Sequence, residues 1–361
     1  MVEAAPLSDD ARVIALLCSS VAAARGEVAK PLGPAAWAKV AARLLERGES
    51  VGALLALAGG GSTASSAVTA NFDGLELDLD FIVRQLDRSA QLAFELDRLA
   101  SRGIALRTLA DEAYPARLRD RLGAKAPPVL FTAGDPSILA SGGVAIVGSR
   151  DVDDAGAAFA DAIAGEAARA GRVVVSGGAR GVDQVAMVAA LQNGGLVAGL
   201  LPEGIELRLR ESGTRAAIAE GQLALASPYH PGAPFSAGAA LGRNKLIYAL
   251  ADLAVVVSSA TGSSGTWAGA TEAIEARWVP VFVRTEPGSP QGNLDLVAAG
   301  GRPLDSPTLP AAEPEPESAE PEPESTEPGP TAPGPTPFAK APRGKRAAEE
   351  TLDFEQGTLD L

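Results

Sequence analysis

The sequence predicts an α/β protein: a parallel β-sheet covered by helices on both faces, preceded by a small helical domain and followed by a disordered tail. Three observations carry this. From Val144 onward six short apolar runs, VAIVGS, RVVVSGG, LVAGLLP, LALASP, LAVVVSS and WVPVFVR, alternate with helical stretches, the pattern of a parallel sheet with crossover helices. Before them the apolar spacing is helical, and after them a Pro/Glu-rich segment lacks large apolar runs.

In chain order, Ser8 to Leu57 reads as helices, among them ARVIALLCSSVAAA and AAWAKVAARLLERG, broken at Gly26, Gly33-Pro34 and Gly48. GGGSTASS (59–66) is a break of turn-forming residues, and Asp80 to Arg102 is an amphipathic helix ending at Gly103. The division expected is 1–70 for a helical accessory domain, 71–108 for a helical linker, 109–303 for the sheet domain and 304–361 for the tail. The tail, PEPESAEPEPESTEPGPTAPGPTP and beyond, cannot bury enough surface to offset chain entropy. It carries a short basic patch (Lys340, Arg343, Lys345, Arg346) and closes on TLDFEQGTLDL.

Composition narrows the chemistry. A chain of 361 residues has room for roughly two domains of about 100–200 residues. Its apolar runs fall short of the roughly 18–20 residues a membrane span needs, and its start lacks a basic, apolar leader; no membrane association and a cytoplasmic location are expected. Cys18 is the only cysteine and His230 the only histidine, which argues against a disulfide, a Cys/His zinc cluster or a Cys/His nucleophile. The net charge is −14, unlike the basic footprint usual for nucleic-acid binding. Residues 301–361 hold 13 acidic and 5 basic side chains, a net of −8, which leaves −6 for the first 300. Any polyanion site must therefore be a local cluster of cations.

In doubly wound sheets ligands bind beyond the carboxyl ends of the strands, so the turns after the strands are the place to look. The first ends in Gly148-Ser149-Arg150: a close-approach glycine, a hydroxyl and a guanidinium that matches phosphate oxygens at a helix N-terminus. Pairing of Arg150 with Asp151 or Asp153 is the alternative. GxGxxG does not occur there, which counts against NAD or FAD; no cofactor is expected. The second strand ends in Ser176-Gly177-Gly178-Ala179-Arg180-Gly181-Val182-Asp183, where glycines permit close approach and Arg180 offers a second phosphate contact. Asp183 reads as an acidic first-turn helix residue. Gly242-Arg243-Asn244-Lys245, before the helical LIYALADLA, and Gly262-Ser263-Ser264-Gly265-Thr266 place further polar groups on the same edge. A solvated helix start is the alternative for Arg243 and Lys245.

The order and spacing of Ala113-Tyr114-Pro115 to Leu118, Pro127-Pro128-Val129-Leu130-Phe131, Gly134, VAIVGSR, SGGARGVD and GRNKLIYALADLAVVV resemble the DNA-processing protein A (DprA/Smf) family over about half the chain. The resemblance implies a Rossmann-like core. It also implies a non-enzymatic protein that binds single-stranded DNA, commonly as a homodimer, and loads a RecA-type recombinase during transformation or recombination. By position, Arg150, Arg180, Gly181, Arg243, Asn244 and Lys245 would line the DNA pocket, with Ser149, Ser176 and Gly177 supplying hydroxyl and backbone contacts. Gly148, Gly178, Ser264, Gly265 and Thr266 complete the candidate phosphate-binding set. The chain departs from the family at AMVAAL, where a histidine is usual; at ATGSSGT; at VFVR, where a Pro-Gly pair is usual; and in lacking a C-terminal winged-helix-like domain.

The rival expectation is a nucleotide enzyme or sensor of the same superfamily. Gly265-Thr266 with Glu272 is reminiscent of phosphoribohydrolases, but in those enzymes the glutamate follows the threonine by three residues, and a spacing of six turns it off that helix face. Separately, Gln356, Leu359 and Leu361 resemble the Q-x-x-L-x-L/F peptide that docks into bacterial sliding clamps, which makes the clamp a candidate partner.

Overall fold

The computed structural model describes residues 7–23, 31–58, 79–262 and 265–310. GGGSTASS, Ser263, Ser264, the segment from Ala311 onward and its terminal Gln356, Leu359 and Leu361 lie outside the described residues. The described residues belong to one compact unit.

Helices α1 (Asp9–Cys18), α2 (Pro34–Glu46), α3 (Leu79–Leu86) and α4 (Ser89–Ala100) open the chain. Ser8 caps α1 by accepting from the Ala11 amide at 3.2 Å, the cap a short helix needs for its orphan donors. The single amphipathic stretch expected over 80–102 is two helices, α3 and α4, with a break at Asp87 and Arg88. Burial pushes the Cys18 thiol well above its ordinary range, which suppresses the reactive thiolate.

The α/β body follows as β1 (Ala105–Thr108), α5 (Ala116–Leu122), β2 (Val129–Ala133), α6 (Pro136–Ala140), β3 (Val144–Gly148), α7 (Asp154–Arg169), β4 (Val174–Ser176), α8 (Val182–Gln192) and β5 (Val197–Leu200). Then come α9 (Ile205–Arg208), α10 (Ser212–Ala219), β6 (Leu223–Ser227), α11 (Ala237–Leu250), β7 (Leu253–Ser258), α12 (Gly265–Glu275), β8 (Val281–Arg284), α13 (Gln291–Ala298) and β9 (Arg302–Leu304).

The six runs read from the sequence are β3 to β8, all parallel, within a nine-stranded sheet ordered β1-β2-β6-β5-β4-β3-β7-β8-β9. β1 and β2 extend the β6 edge antiparallel, and β9 closes the other edge parallel to β8. The chain winds outward from β3 to β6, then returns to β7 on the other side of β3. The switch point thus lies between β3 and β7, where the register slips between Val147 and Gly148.

Alternation along each strand divides the core in two. Val144, Ile146, Val174, Val197, Leu223 and Val255 face α7, α8 and the N-terminal helices through Phe159, Ile163, Leu16 and Trp37. Ala145, Val175, Ala198, Leu200, Ala224, Ala254 and Val256 face the other way, into a second cluster with Leu246, Tyr248 and Leu250 of α11 and Ile138 and Leu139 of α6. Among the described residues no helix is long and apolar enough to cross a membrane.

Gly143 enters β3 at φ +120, where an added Cβ would run into the Val173 carbonyl, whereas Gly171 (φ +68) has nothing within 4 Å. Gly171→Ala should cost about 1–2 kcal/mol for the left-handed backbone alone. Gly143→Ala should cost more, about 3 kcal/mol, because strain and collision add. Urea midpoints of the two variants check this; equal losses would rule out the close approach at Gly143.

Candidate functional site

The turns after β3 and β4 interlock at the switch point. Gly181 caps α8 at φ +86, and a Cβ there would strike the carbonyls of Ser149 and Arg150. The Val182 amide donates to the Ser149 carbonyl at 3.2 Å, and Gly148 lies flat against Val182. The glycines expected to admit a ligand therefore admit each other's backbone. Ser176 is fully buried and its hydroxyl donates to the Ile146 carbonyl at 2.7 Å, tying β4 to β3. Ser149 Oγ accepts the Asp151 amide at 3.2 Å.

GRNK lies inside α11 rather than ahead of it. The Ala-rich segment from Ala237 is already helical, and Ser236 caps it by accepting the Ala239 amide at 3.1 Å. Arg243 consequently points into the protein and is 3% exposed. Its Nη1 donates to the Leu200 carbonyl at the end of β5, while Nε has no hydrogen-bond partner. Its charge faces Asp183, Glu203 and Tyr229; burial, and secondarily Arg150, lower its pKa against the pull of those three. Asp183 is 6% exposed. Burial pushes its carboxyl up, while Arg243 and the amides of Ala179, Gly177 and Gly148 act in the opposite direction. Gly177 separates the two charges: a Cβ there would stand 2.6 Å from Asp183 Oδ2 and collide with the Arg243 guanidinium.

A second buried pair completes this floor. Arg208 Nε donates to Glu203 Oε1 at 2.9 Å and its Nη2 to the carbonyl of Gly178 at 3.3 Å. Ser227 Oγ donates to the Glu203 carbonyl at 2.7 Å. Asn244 Nδ2 donates to the Gly265 carbonyl at 2.9 Å, and Thr266 Oγ1 to the Gly148 carbonyl at 3.1 Å, so α11 and α12 are fastened to the same edge.

Above the floor are two arginines. Arg180 is exposed and pairs with Asp151 at 2.6 Å. Arg150 lies 5.3 Å from the ring centre of Phe235. Asp153 instead caps α7, accepting the Gly156 amide at 2.8 Å. Lys245 does not converge with them: it is half-buried, its pKa is lowered by burial, and its charged neighbours are Glu272 and Lys125. Glu272 Oε1 in turn meets Lys125 Nζ at 2.9 Å, so Glu272 and Thr266 serve separate partners. At the site of the VFVR departure, Arg284 is fully buried, 3.1 Å from Glu286 and 3.7 Å from Asp153.

Glu203, Arg208, Tyr229 and Phe235 were not legible as site residues. Glu203 could have been found, since it opens the turn after β5 and all six strand-end turns share one edge. Phe235 had only its place as a lone phenylalanine in the loop before α11 as a signal.

A doubly wound sheet with interlocked glycine turns and arginines at its switch point defines a Rossmann-like domain with arginines at its strand ends. The chain belongs to the DNA recombination-mediator protein A family, whose model matches residues 105–307. It is similar to the DNA processing protein DprA of Mycobacterium tuberculosis, 31% identical over 204 residues, 52% of this chain and 51% of that protein. Against DprA of Streptococcus pneumoniae it is 31% identical over 170 residues, 46% of this chain and 58% of that protein. The chain thus spans about half the length of the curated relatives it matches. The X-ray structure of S. pneumoniae DprA shares the fold, with a TM-score of 0.59 at 23% identity, covering 75% of this chain and 90% of that one.

His230, in the loop that also carries Tyr229 and Phe235, reports on how that loop is held. Burial and Arg98 depress its pKa below 6.5, while Glu206 and Glu95 oppose them. With the folded value below the unfolded one, the stability linked to His230 is complete above about pH 6.5 and is lost as pH falls. Thermal melts between pH 7.5 and 5.5 should show a smaller loss for His230→Gln than for the parent. Identical losses would mean the imidazole is not held neutral.

Proposed function

We propose that the protein is a recombination mediator that binds single-stranded DNA along the strand-end rim and delivers it to a RecA-type recombinase in the cytoplasm, acting as a homodimer. It does so without catalysis. The observation that carries this reading is the division between a floor whose charges answer one another and a strand-end turn region where Arg180 is exposed and Arg150 lies against Phe235. Membership of the recombination-mediator family supports the same reading.

The rim suits a phosphodiester backbone. Arg180 is held by a surface ion pair with Asp151, and such pairs are worth about 0–1 kcal/mol, so a phosphate displaces the carboxylate at small cost. Phe235, 5.3 Å from the Arg150 guanidinium, holds that side chain beside the strand ends, where the flexible backbone of a single strand can follow it. Arg243 enters as a positioning residue that holds Gly177 and the end of β5, rather than as a phosphate contact. The same assignment makes Ser176, Gly178, Asn244 and Thr266 fasteners of the rim.

Binding of a fluorescent oligothymidylate, with a duplex control and a salt series, tests the proposal. Arg150→Ala and Arg180→Ala should each weaken single-strand binding about tenfold and reduce the salt slope by about one. Lys245→Ala should change neither by more than about twofold. Absence of salt-dependent binding, or unchanged binding in both arginine variants, would refute it.

A further inference from the structure

We infer that Asp183 acts as a built-in substitute for a phosphate, filling the strand-end turn so that the protein takes internal phosphodiesters at its rim and rejects free nucleotides and terminal phosphates. This specificity presupposes the single-strand reading of the rim, but the occupied turn can be tested without it.

In a Rossmann-like sheet the turn after a strand near the switch point, followed by a helix N-terminus, is where a phosphate usually sits. Here that place is the Ser176–Gly181 turn and the start of α8. The Asp183 side chain already occupies it. The amides of Gly148, Gly177 and Ala179 face its carboxylate, as amides face a phosphate elsewhere, and they come from two different strand-end turns. Gly177 packs so tightly against Oδ2 and the Arg243 guanidinium that not even a Cβ fits between them.

The cation that would serve a phosphate is occupied as well. Arg243 answers Asp183 and Glu203 and donates to the Leu200 carbonyl, and Arg208 answers Glu203. An entering phosphate monoester, with up to about two negative charges, would meet the carboxylates of Asp183 and Glu203, which already face the Arg243 and Arg208 guanidiniums. A phosphodiester carries a single charge and, as part of a strand, stays outside, where Arg150 and Arg180 stand. The 5′ end of a strand should therefore carry no special weight.

Removing the carboxylate reverses the situation. Asp183→Ala leaves Arg243 buried beside empty amides, so the variant should melt lower than the parent and be rescued by inorganic phosphate or thymidine 5′-monophosphate. Sodium chloride of equal ionic strength should not rescue it. Thermal melts with these additives are the first measurement, with the parent protein showing no response beyond that of the salt control. A parent protein stabilised by thymidine 5′-monophosphate as strongly as the variant would overturn the inference. So would an Asp183→Ala protein that folds and gains nothing from phosphate.

If Asp183→Ala does not fold, the parent alone decides, by its affinity for oligothymidylate with a 5′-phosphate against a 5′-hydroxyl. Affinities within about twofold support the closed turn, whereas a preference of about tenfold for the phosphorylated end overturns it. Should the protein bind no strand at all, the single-strand reading fails. Thymidine 5′-monophosphate titrated directly against the parent then decides about Asp183, with saturable binding overturning the inference and no binding supporting it.

Discussion

The strand-end face depends on one buried charge, the guanidinium of Arg243, which reaches from the middle of α11 to the end of β5 and the underside of Gly177. Taking such an ion out of water costs several kcal/mol unless its surroundings answer it. The answer comes from Asp183 at the start of α8, Glu203 after β5 and the Leu200 carbonyl, which lie on separate elements. Satisfying this one side chain therefore fixes the relative positions of β4, β5, α8 and α11.

Much of the sheet was legible because a strand buried on both faces is written in nearly continuous apolar residues, and the six such runs are β3 to β8. The edges were not. β1 is four residues long and falls in the stretch read as helical linker, β2 is flanked by Pro127-Pro128 and Gly134, and β9 contains Pro303. Proline is tolerated at a sheet edge because its missing donor need not face a partner strand. The start of α11 was placed too late because AGAAL carries no amphipathic signal. That displacement turned a buried arginine into an expected helix-start cation.

The candidate turns stand out in the sequence because glycine clusters record close approach whatever the approaching group is. What the sequence does not record is whether that group is a ligand or the protein's own backbone. At Gly148, Gly177 and Gly181 it is the protein: Val182, the Arg243 guanidinium with Asp183, and the carbonyls of Ser149 and Arg150. Lys245 was misplaced for a simpler reason. It lies two residues beyond Arg243 on a helix, about 200° around the axis, so the two cannot serve one pocket, and its neighbours are accordingly Glu272 and Lys125.

On the proposed reading, this arrangement would let an acidic protein take a polyanionic partner. The floor contributes rigidity rather than net charge, since Arg243 and Arg208 are matched by Asp183 and Glu203. Attraction for the proposed strand would then come from the few cations standing outside it, and at physiological salt their field is felt over about 8 Å, so the remaining acidic surface would be screened from it. A rigid floor also means that binding need order only side chains such as Arg150 and Arg180, not the turns that carry them. Positions on the floor thus act on affinity through geometry, whereas positions on the rim act through charge. That distinction separates a salt-independent loss of binding from a salt-dependent one.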